Sequence, residues 1–366
     1  MRTYLCMISH PAHFHLLRNT IDTLKAHGHR LTVVIRPKDV LEQLCINSKM
    51  EYRKVKERSR TAGKVGMFLA LFQKTWEVSR IVRSTKPDVL FGCDGALSYV
   101  GKIFGIPSFD CDEDDAEATP LFAKMFYPFF TGLITPTICS TGKWEYKKIG
   151  HYSYHELAYL HPNTFVPDIQ YLEKYGIPSD KPFYLIRFAQ LTAHHDAGIH
   201  GIEKDTALRL VTMLEAHGNV YITSERPLEK ELERYRMRID PLDIHHIMAF
   251  ADMFVGDSQT MAAEAGVLGT PFVRLNDFSG QLAYLNEIED KYQLGYSHKS
   301  KDVEGFFASV QKWLDEPNRK FICQERRKRM LEEKIDLTKF LVWFLENYPD
   351  SWKTLKKDTN YQWRFK

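Results

Sequence analysis

Residues 254–274 read FVGDSQTMAAEAGVLGTPFVR. A short apolar run closes at Gly256, Asp257 and Ser258 offer helix-capping side chains, and helix formers follow from Gln259 to Leu268. Unpaired backbone N–H groups at such a helix start attract an anion such as a diphosphate, by about 0.3–1 kcal/mol per charge at an exposed end. Ser258, Gln259, Thr260 and Met261 are the candidates for that contact. Glu264, roughly one and a half turns further in, either accepts from ribose hydroxyls or is a solvated helix residue. Arg187 and Arg226 stand at expected strand ends, the second beside Ser224. Guanidinium groups there hold phosphate oxygens or make structural ion pairs. His246 and Ser224 are grouped with these candidate donor contacts.

The N-terminal half offers acid–base groups. SHPAHFH brings three histidines to the carboxyl end of the first expected strand. Imidazoles at a helix N-terminus tend to stay neutral, which suits a general base or a hydrogen-bond partner. His13 is the first choice and His10 the second, with capping and packing as the other reading for each. After IPSF the chain runs into DCDEDDAEA. Crowded aspartates raise one another's pKa, hold a divalent cation, or form a solvated loop. Asp112 and Asp114 are the candidates here, with Asp94 at the neighbouring strand end. None has the spacing of a strong metal motif, so no metal and no cofactor is expected. TAHHD adds His194, His195 and Asp196 where a later strand hands over to a helix, and His195 is its catalytic candidate.

Alternating strands and helices must position these groups. TYLCMI reads as a buried strand, 14–27 as an amphipathic helix and 31–35 as a second strand, a βαβ opening without a glycine fingerprint. Residues 67–82 form an amphipathic helix whose Phe68, Leu71, Phe72, Trp76 and Ile81 are read as core. VLFG, 106–109 and 134–140 are further strands, with a short helix at 144–150. A connector with Pro167, Pro178 and Pro182 leads to strands at 183–188 and 220–223, and then to the capped helix. Helices follow at 281–290, 301–314 and 325–334, and the apolar stretch 337–345 is expected to pack back across the first domain. The fold class is α/β, with two Rossmann-like doubly wound domains facing a central cleft. Their expected bounds are 1–165 and 166–340, with 341–366 as a returning or surface segment.

Composition narrows the function. A chain of 366 residues exceeds one ordinary core, so two domains are expected. Its net charge of +3 is too small to imply a nucleic-acid partner. No run of apolar residues is long enough to cross a bilayer, and the N-terminus is too polar-flanked for a signal peptide. Six scattered cysteines without a CxxC read as reduced, mostly buried thiols of a cytoplasmic protein. Residues 49–64 carry seven Lys or Arg against two Glu, a solvated loop or a contact for phosphates or an anionic membrane. The aromatic stretch 121–134 is a buried or lid helix, or a membrane-surface patch for a lipid-linked acceptor.

HPAHFHLLRN, the acidic stretch after IPSFD, and PLDIHHIMAFADMFVGDSQTMAAEAGVLGTPFV resemble the DUF354 family. That family is related to the non-hydrolysing UDP-N-acetylglucosamine 2-epimerases and shares the GT-B architecture of many nucleotide-sugar glycosyltransferases. The resemblance spans most of the chain. It implies that Ser258 and Thr260 meet the diphosphate of a donor, a UDP-linked sugar, and that Glu264 meets the ribose. PDVLFGCDGALS is similar to the epimerase stretch that places a catalytic aspartate, here Asp94. TAHHD lies where epimerases carry His-Arg-x-Glu-Asn and keeps only the histidine character. The leading expectation is a metal-independent GT-B glycosyltransferase of surface-polysaccharide or glycolipid assembly, taking a nucleotide-sugar donor and a glycan or lipid-linked glycan acceptor, with a peripheral membrane contact as one further expectation. The alternatives are a nucleotide-sugar 2-epimerase and a non-catalytic sugar-nucleotide-binding subunit.

Overall fold

Short runs of Val, Ile, Leu and aromatic residues, apolar on both faces, form strands that must be covered on both sides, and here they build two all-parallel sheets. The computed structural model describes residues 1–37, 40–55, 64–189 and 201–366. These fall into two units, 1–161 with 334–366, and 162–333.

The first unit holds seven strands: β1 (Thr3–Ile8), β2 (Arg30–Ile35), β3 (Arg53–Lys54), β4 (Val89–Gly92), β5 (Ser108–Asp110), β6 (Gly132–Pro136) and β7 (Lys148–His151). Their order is β3-β2-β1-β4-β5-β6-β7. Helices α1 (Pro11–Ala26), α2 (Leu41–Asn47), α3 (Lys64–Thr85), α4 (Ala96–Phe104) and α5 (Pro120–Phe126) make the crossovers. Right-handed connections put α1 and α2 on one face of the sheet and α3 to α5 on the other. Val78, Val82, Leu97 and Val100 seal that second face against Leu5, Met7 and Leu90. Gly92 takes φ 139°, and a Cβ there would meet the Met7 carbonyl oxygen at 2.2 Å, so the exit of β4 requires glycine.

The second unit holds β8 (Phe183–Phe188), β9 (Asn219–Ser224), β10 (Met253–Gly256), β11 (Phe272–Leu275) and β12 (Gly295–His298), ordered β12-β11-β10-β8-β9. Its helices are α6 (Gln170–Lys174), α7 (Lys204–Glu215), α8 (Ile244–Phe250), α9 (Gln259–Leu268), α10 (Ala283–Asn286), α11 (Val303–Asp315) and α12 (Arg319–Glu332). Gly269 ends α9 in the left-handed conformation at φ 74°, and Pro271 then leads into β11.

The chain returns to the first unit with α13 (Leu337–Asn347) and α14 (Asp350–Lys357). Arg2 donates to the carbonyls of Leu345 and Tyr348 at 3.2 and 2.6 Å, and Tyr4 donates to Leu345 at 3.2 Å. Glu346 meets His27 at 2.7 Å and His29 at 3.0 Å. The Phe109 ring lies edge-on to Phe344 and Tyr348.

Four expectations are corrected. The helix expected at 144–150 is a 3-10 turn over Gly142–Lys147 followed by β7. Within the basic loop 49–64, Arg53–Lys54 adds an edge strand. Residues 295–298, not anticipated as a strand, extend the second sheet as β12. Phe68, Phe72 and Trp76, expected in the core, are 66%, 65% and 52% exposed. The inward face of α3 is carried by Val78 and Val82, which leaves the aromatic stripe on the solvent side.

Candidate functional site

In an open parallel sheet, ligands are met beyond the carboxyl ends of the strands where strand order reverses. That reversal lies between β8 and β10 in the second unit and between β1 and β4 in the first.

In the second unit, Gly256 at the end of β10 pairs in register with Arg187 of β8. A Cβ on Gly256 would lie 2.7 Å from the Arg187 carbonyl oxygen, so only glycine permits this approach. Asp257 comes next. Its side chain was expected to cap the helix but serves instead as a clamp: one oxygen accepts from the Ala189 amide at 2.6 Å and the other from Ile202 at 3.2 Å. Burial pushes its pKa up to about 6, opposed by those two donors and by the Arg226 charge. Ser258 is the cap, with extended backbone and an Oγ that accepts from the Met261 amide at 3.4 Å. Ser258, Gln259, Thr260 and Met261 are all partly accessible, and the first-turn amides of α9 have no carbonyl one turn back to bond.

The two arginines divide their nitrogens between the two readings. Arg187 is ion-paired through Nη2 with Glu225, while its buried Nε has no partner among the described residues. Arg226 donates from Nη2 to the Ile202 carbonyl, lies 5.0 Å from the Phe188 ring, and likewise leaves a buried Nε without a partner. Ser224 orders this turn, its hydroxyl donating to the Arg226 carbonyl at 2.7 Å and accepting from the Arg226 amide at 3.2 Å.

Glu264 is not a solvated helix residue. It is 3% exposed, with one carboxylate oxygen 2.9 Å from Nε2 of His245 on α8. His246 serves the connector instead. Its Nδ1 accepts from the Asp168 amide at 3.0 Å and its ring stacks on Tyr171 at 4.1 Å, while burial lowers its pKa. His195, with His194 and Asp196, lies outside the described residues.

In the first unit, Asp94 occupies the position equivalent to Asp257, just past the strand at the reversal. Its carboxylate, 4% exposed, accepts from Ser9 Oγ at 2.6 Å, from the Ala96 amide at 2.9 Å and from Lys74 Nζ at 2.9 Å. Burial pulls its pKa upward, but Lys74, Ser9 and Ala96 together carry it below the usual value, so it is ionised at neutral pH. His10 caps α1, its Nδ1 accepting from the Ala12 amide at 3.3 Å, and its ring lies 5.7 Å from that of His13. Ser9 therefore joins the histidine turn to Asp94.

The acidic run separates into distinct roles. Asp110 ends β5, is 1% exposed, and has one carboxylate oxygen without a partner among the described residues; burial and the charges of Asp112, Asp94 and Asp114 push its pKa far up. Asp112 accepts from the Glu113 amide at 2.9 Å. Glu113 faces His155, accepting from its amide at 3.3 Å and lying 3.4 Å from its Nδ1; burial drives the carboxyl up and the imidazole down. Asp115 accepts from the Ser140 amide at 2.6 Å. Asp114 is raised to about 8 by burial and by Asp112 and Asp115, which suits proton exchange near neutrality. No group of side chains able to hold a metal occurs among the described residues.

Asp94, Asp112 and Asp114 are thus gathered at one strand-end cluster with Asp110, and His10 and His13 adjoin it through Ser9. Sequence reasoning missed Ser9, Lys74 and Asp110. Ser9 lay inside SHPAHFH, and its place just after β1 was a usable signal; Lys74, one cation on a long helix, gave none.

The elevated Asp114 pKa has a testable sign. A carboxyl raised from 3.8 to about 8 favours the folded state only while protonated, so its cost to folding grows as pH climbs through that window and is complete above it. Asp114→Asn is expected to stabilise the protein progressively over wild type between those limits and to add nothing more above them, as read from urea midpoints across pH. A pH-independent difference would overturn the assignment.

No protein-family model matches the chain, and no curated protein matches it. Solved structures do. A spinosyn rhamnosyltransferase, SpnG, complexed with thymidine diphosphate is 15% identical, with a TM-score of 0.63 over 95% of this chain and 100% of that one. MnaA of S. aureus, complexed with UDP, is 11% identical, with a TM-score of 0.61 over 90% of this chain and 95% of that one. SsfS6, a glycosyltransferase of Streptomyces sp. SF2575 complexed with thymidine diphosphate, is 12% identical, with a TM-score of 0.60 over 94% and 100%. At such identities the likeness is one of fold, and the chain has the two-unit parallel α/β architecture of the GT-B fold.

Proposed function

We propose that the protein is a GT-B glycosyltransferase that takes a nucleotide-sugar donor and acts, without a metal, on a glycan or lipid-linked glycan of a surface polysaccharide or glycolipid. The observation that carries this reading is the start of α9. Ser258 caps it, residues 258–261 are partly accessible, and it stands at the strand reversal flanked by Arg187 and Arg226, each with an Nε that has no partner among the described residues. Such a constellation fits a diphosphate leaving group, whose developing charge it would stabilise. The DUF354 resemblance and the nucleotide-bound structures of like fold support it. In the first unit, His13, Asp112 and Asp114 are the candidate bases for an acceptor hydroxyl, and burial beside Asp112 and Asp115 raises Asp114 to about 8.

The test is a thermal-shift screen against UDP, GDP, dTDP, CMP and common UDP-sugars. A ligand at a hundredfold its dissociation constant stabilises the folded state by about 2.7 kcal/mol. The expected result is a clear shift with one nucleotide diphosphate that disappears in Ser258→Ala and Arg187→Ala. The same screen with Glu264→Ala tests the ribose contact. A flat response to every nucleotide would overturn the donor site and favour an assembly subunit.

One observation favours a nucleotide-sugar 2-epimerase as the second reading. Asp94 is held ionised at the strand reversal by Lys74, Ser9 and Ala96, in the stretch PDVLFGCDGALS that resembles the one placing the epimerases' catalytic aspartate. Loss of epimer formation in Asp94→Asn, with no acceptor required by the wild type, would select it.

A further inference from the structure

The helical layer formed by α3, α4 and α5 presents a surface that the donor chemistry leaves unexplained. Phe68, Phe72 and Trp76 recur every four residues along α3 and are each more than half exposed. Ile103 on α4, Leu121 on α5 and Phe129 just beyond it are also exposed, at 65%, 57% and 40%. The helices that carry them adjoin: α3 packs on α4, α4 touches α5, and Tyr99 of α4 reaches the Phe126 and Phe129 rings at 5.5 and 5.1 Å. An apolar surface of this kind marks an interaction site.

Charge identifies the partner. The three helices carry six Lys or Arg and a single acid, Glu77. Lys74 turns inward to Asp94, but Arg80, Arg83, Lys102 and Lys124 are exposed. Arg80 lies 5.0 Å from the Trp76 ring and Arg83 5.6 Å from Phe104, so cations and aromatics are interleaved. A protein interface of aromatics does not call for so one-sided a charge. A bilayer with anionic headgroups does, because rings seat at the headgroup–acyl boundary while Lys and Arg meet the lipid phosphates. No helix among the described residues is long and apolar enough to cross a membrane, so such an attachment would be peripheral.

We propose that the α3–α4–α5 face of the first unit docks on an anionic lipid bilayer, with Phe68, Phe72 and Trp76 seated in the headgroup region and the flanking cations on lipid phosphates. The proposal stands independently of the nucleotide-sugar reading.

Co-sedimentation of the full chain with vesicles tests it. The protein is expected to pellet with mixed phosphatidylcholine–phosphatidylglycerol vesicles and to be released from them by high salt, while phosphatidylcholine alone retains little. Arg80→Gln with Arg83→Gln should lower partitioning about 25-fold, about fivefold for each cation near the surface. Phe72→Ser with Trp76→Ser should abolish binding; these positions are exposed, so thermal melting should be unchanged. In Trp76→Phe, binding should persist while quenching by brominated acyl chains falls. Failure to pellet with anionic vesicles would overturn the proposal, as would equal binding by the double variants. A wild-type dimer that the aromatic double variant converts to monomer, with no vesicle binding in either, would assign the face to a second copy of the chain instead.

Discussion

Lys74→Met is expected to cost about 3–5 kcal/mol of stability, because it strands a buried carboxylate. Asp94 is 4% exposed and is ion-paired with Lys74, whose Nζ lies 2.8 Å from one oxygen and 2.9 Å from the other. Ser9 and Ala96 still donate in the variant, but two neutral donors do not replace an ammonium group in a setting where Asp110, Asp112 and Asp114 crowd the same strand ends. The partner change makes the argument specific. Asp94→Asn in the Lys74→Met background removes the stranded charge, keeps an amide oxygen to accept from Ala96, and turns an NH2 towards Ser9, whose hydroxyl can accept instead of donate, so most of the loss should be recovered. Urea unfolding of the wild type, both single variants and the double variant supplies the cycle. A loss below about 1 kcal/mol for Lys74→Met would mean that the pair behaves as an exposed one.

Arg274→Met should be comparably damaging to the second unit, by about 3–5 kcal/mol. The Arg274 side chain is fully buried, and its Nε and Nη2 reach the two oxygens of Glu289 at 2.6 and 3.2 Å. Ser297 of β12 donates to the same carboxylate at 2.7 Å. The three residues pin the edge of the sheet to the turn after α10, so hydrogen exchange should quicken first in β11 and β12. Replacing both charges, Arg274→Met with Glu289→Met, is expected to regain most of the stability, since a packed apolar pair avoids the desolvation penalty. If the double variant were no better than the single one, packing volume rather than an uncompensated charge would be the cause.

Much of the fold was legible because parallel sheets advertise themselves. Buried strands such as TYLCMI and MFVG are continuous apolar runs, and the capped helix after the second carries its start signal in Ser258 and its stop signal in Gly269. The strands that escaped notice, β3, β7 and β12, are two to four residues long and contain Arg, Lys, Gly or His; their strand character comes from the neighbour they pair with. The misplacement of α3 has a different origin. Phe68, Phe72 and Trp76 repeat with the period of a core stripe, and one sequence cannot say whether such a stripe turns inward or outward.

The candidate site divides in the same way. Ser258 and the first turn of α9 could be located because a helix start is a local feature. The clamp made by Asp257 could not, since its partners Ala189 and Ile202 are distant in sequence. Lys74 and Asp94 are twenty positions apart and His245 and Glu264 nineteen, pairings that only tertiary structure creates. The pKa of Asp114 likewise depends on how deeply its loop is buried, which crowding alone does not specify.

The discontinuity of the first unit bears on how the chain is made. Residues 334–366 belong with 1–161, yet they follow the whole of 162–333. At ordinary rates of translation, roughly ten to thirty seconds separate the emergence of the first part from that of the last. Through that interval Arg2 and Tyr4 lack the Leu345 and Tyr348 carbonyls, and Phe109 lacks the rings of Phe344 and Tyr348. The nascent N-terminal sheet therefore waits with one patch uncovered while the later unit completes itself, a natural point for a chaperone to engage the ribosome-bound chain. Helices α13 and α14, made after the second unit, close the first sheet.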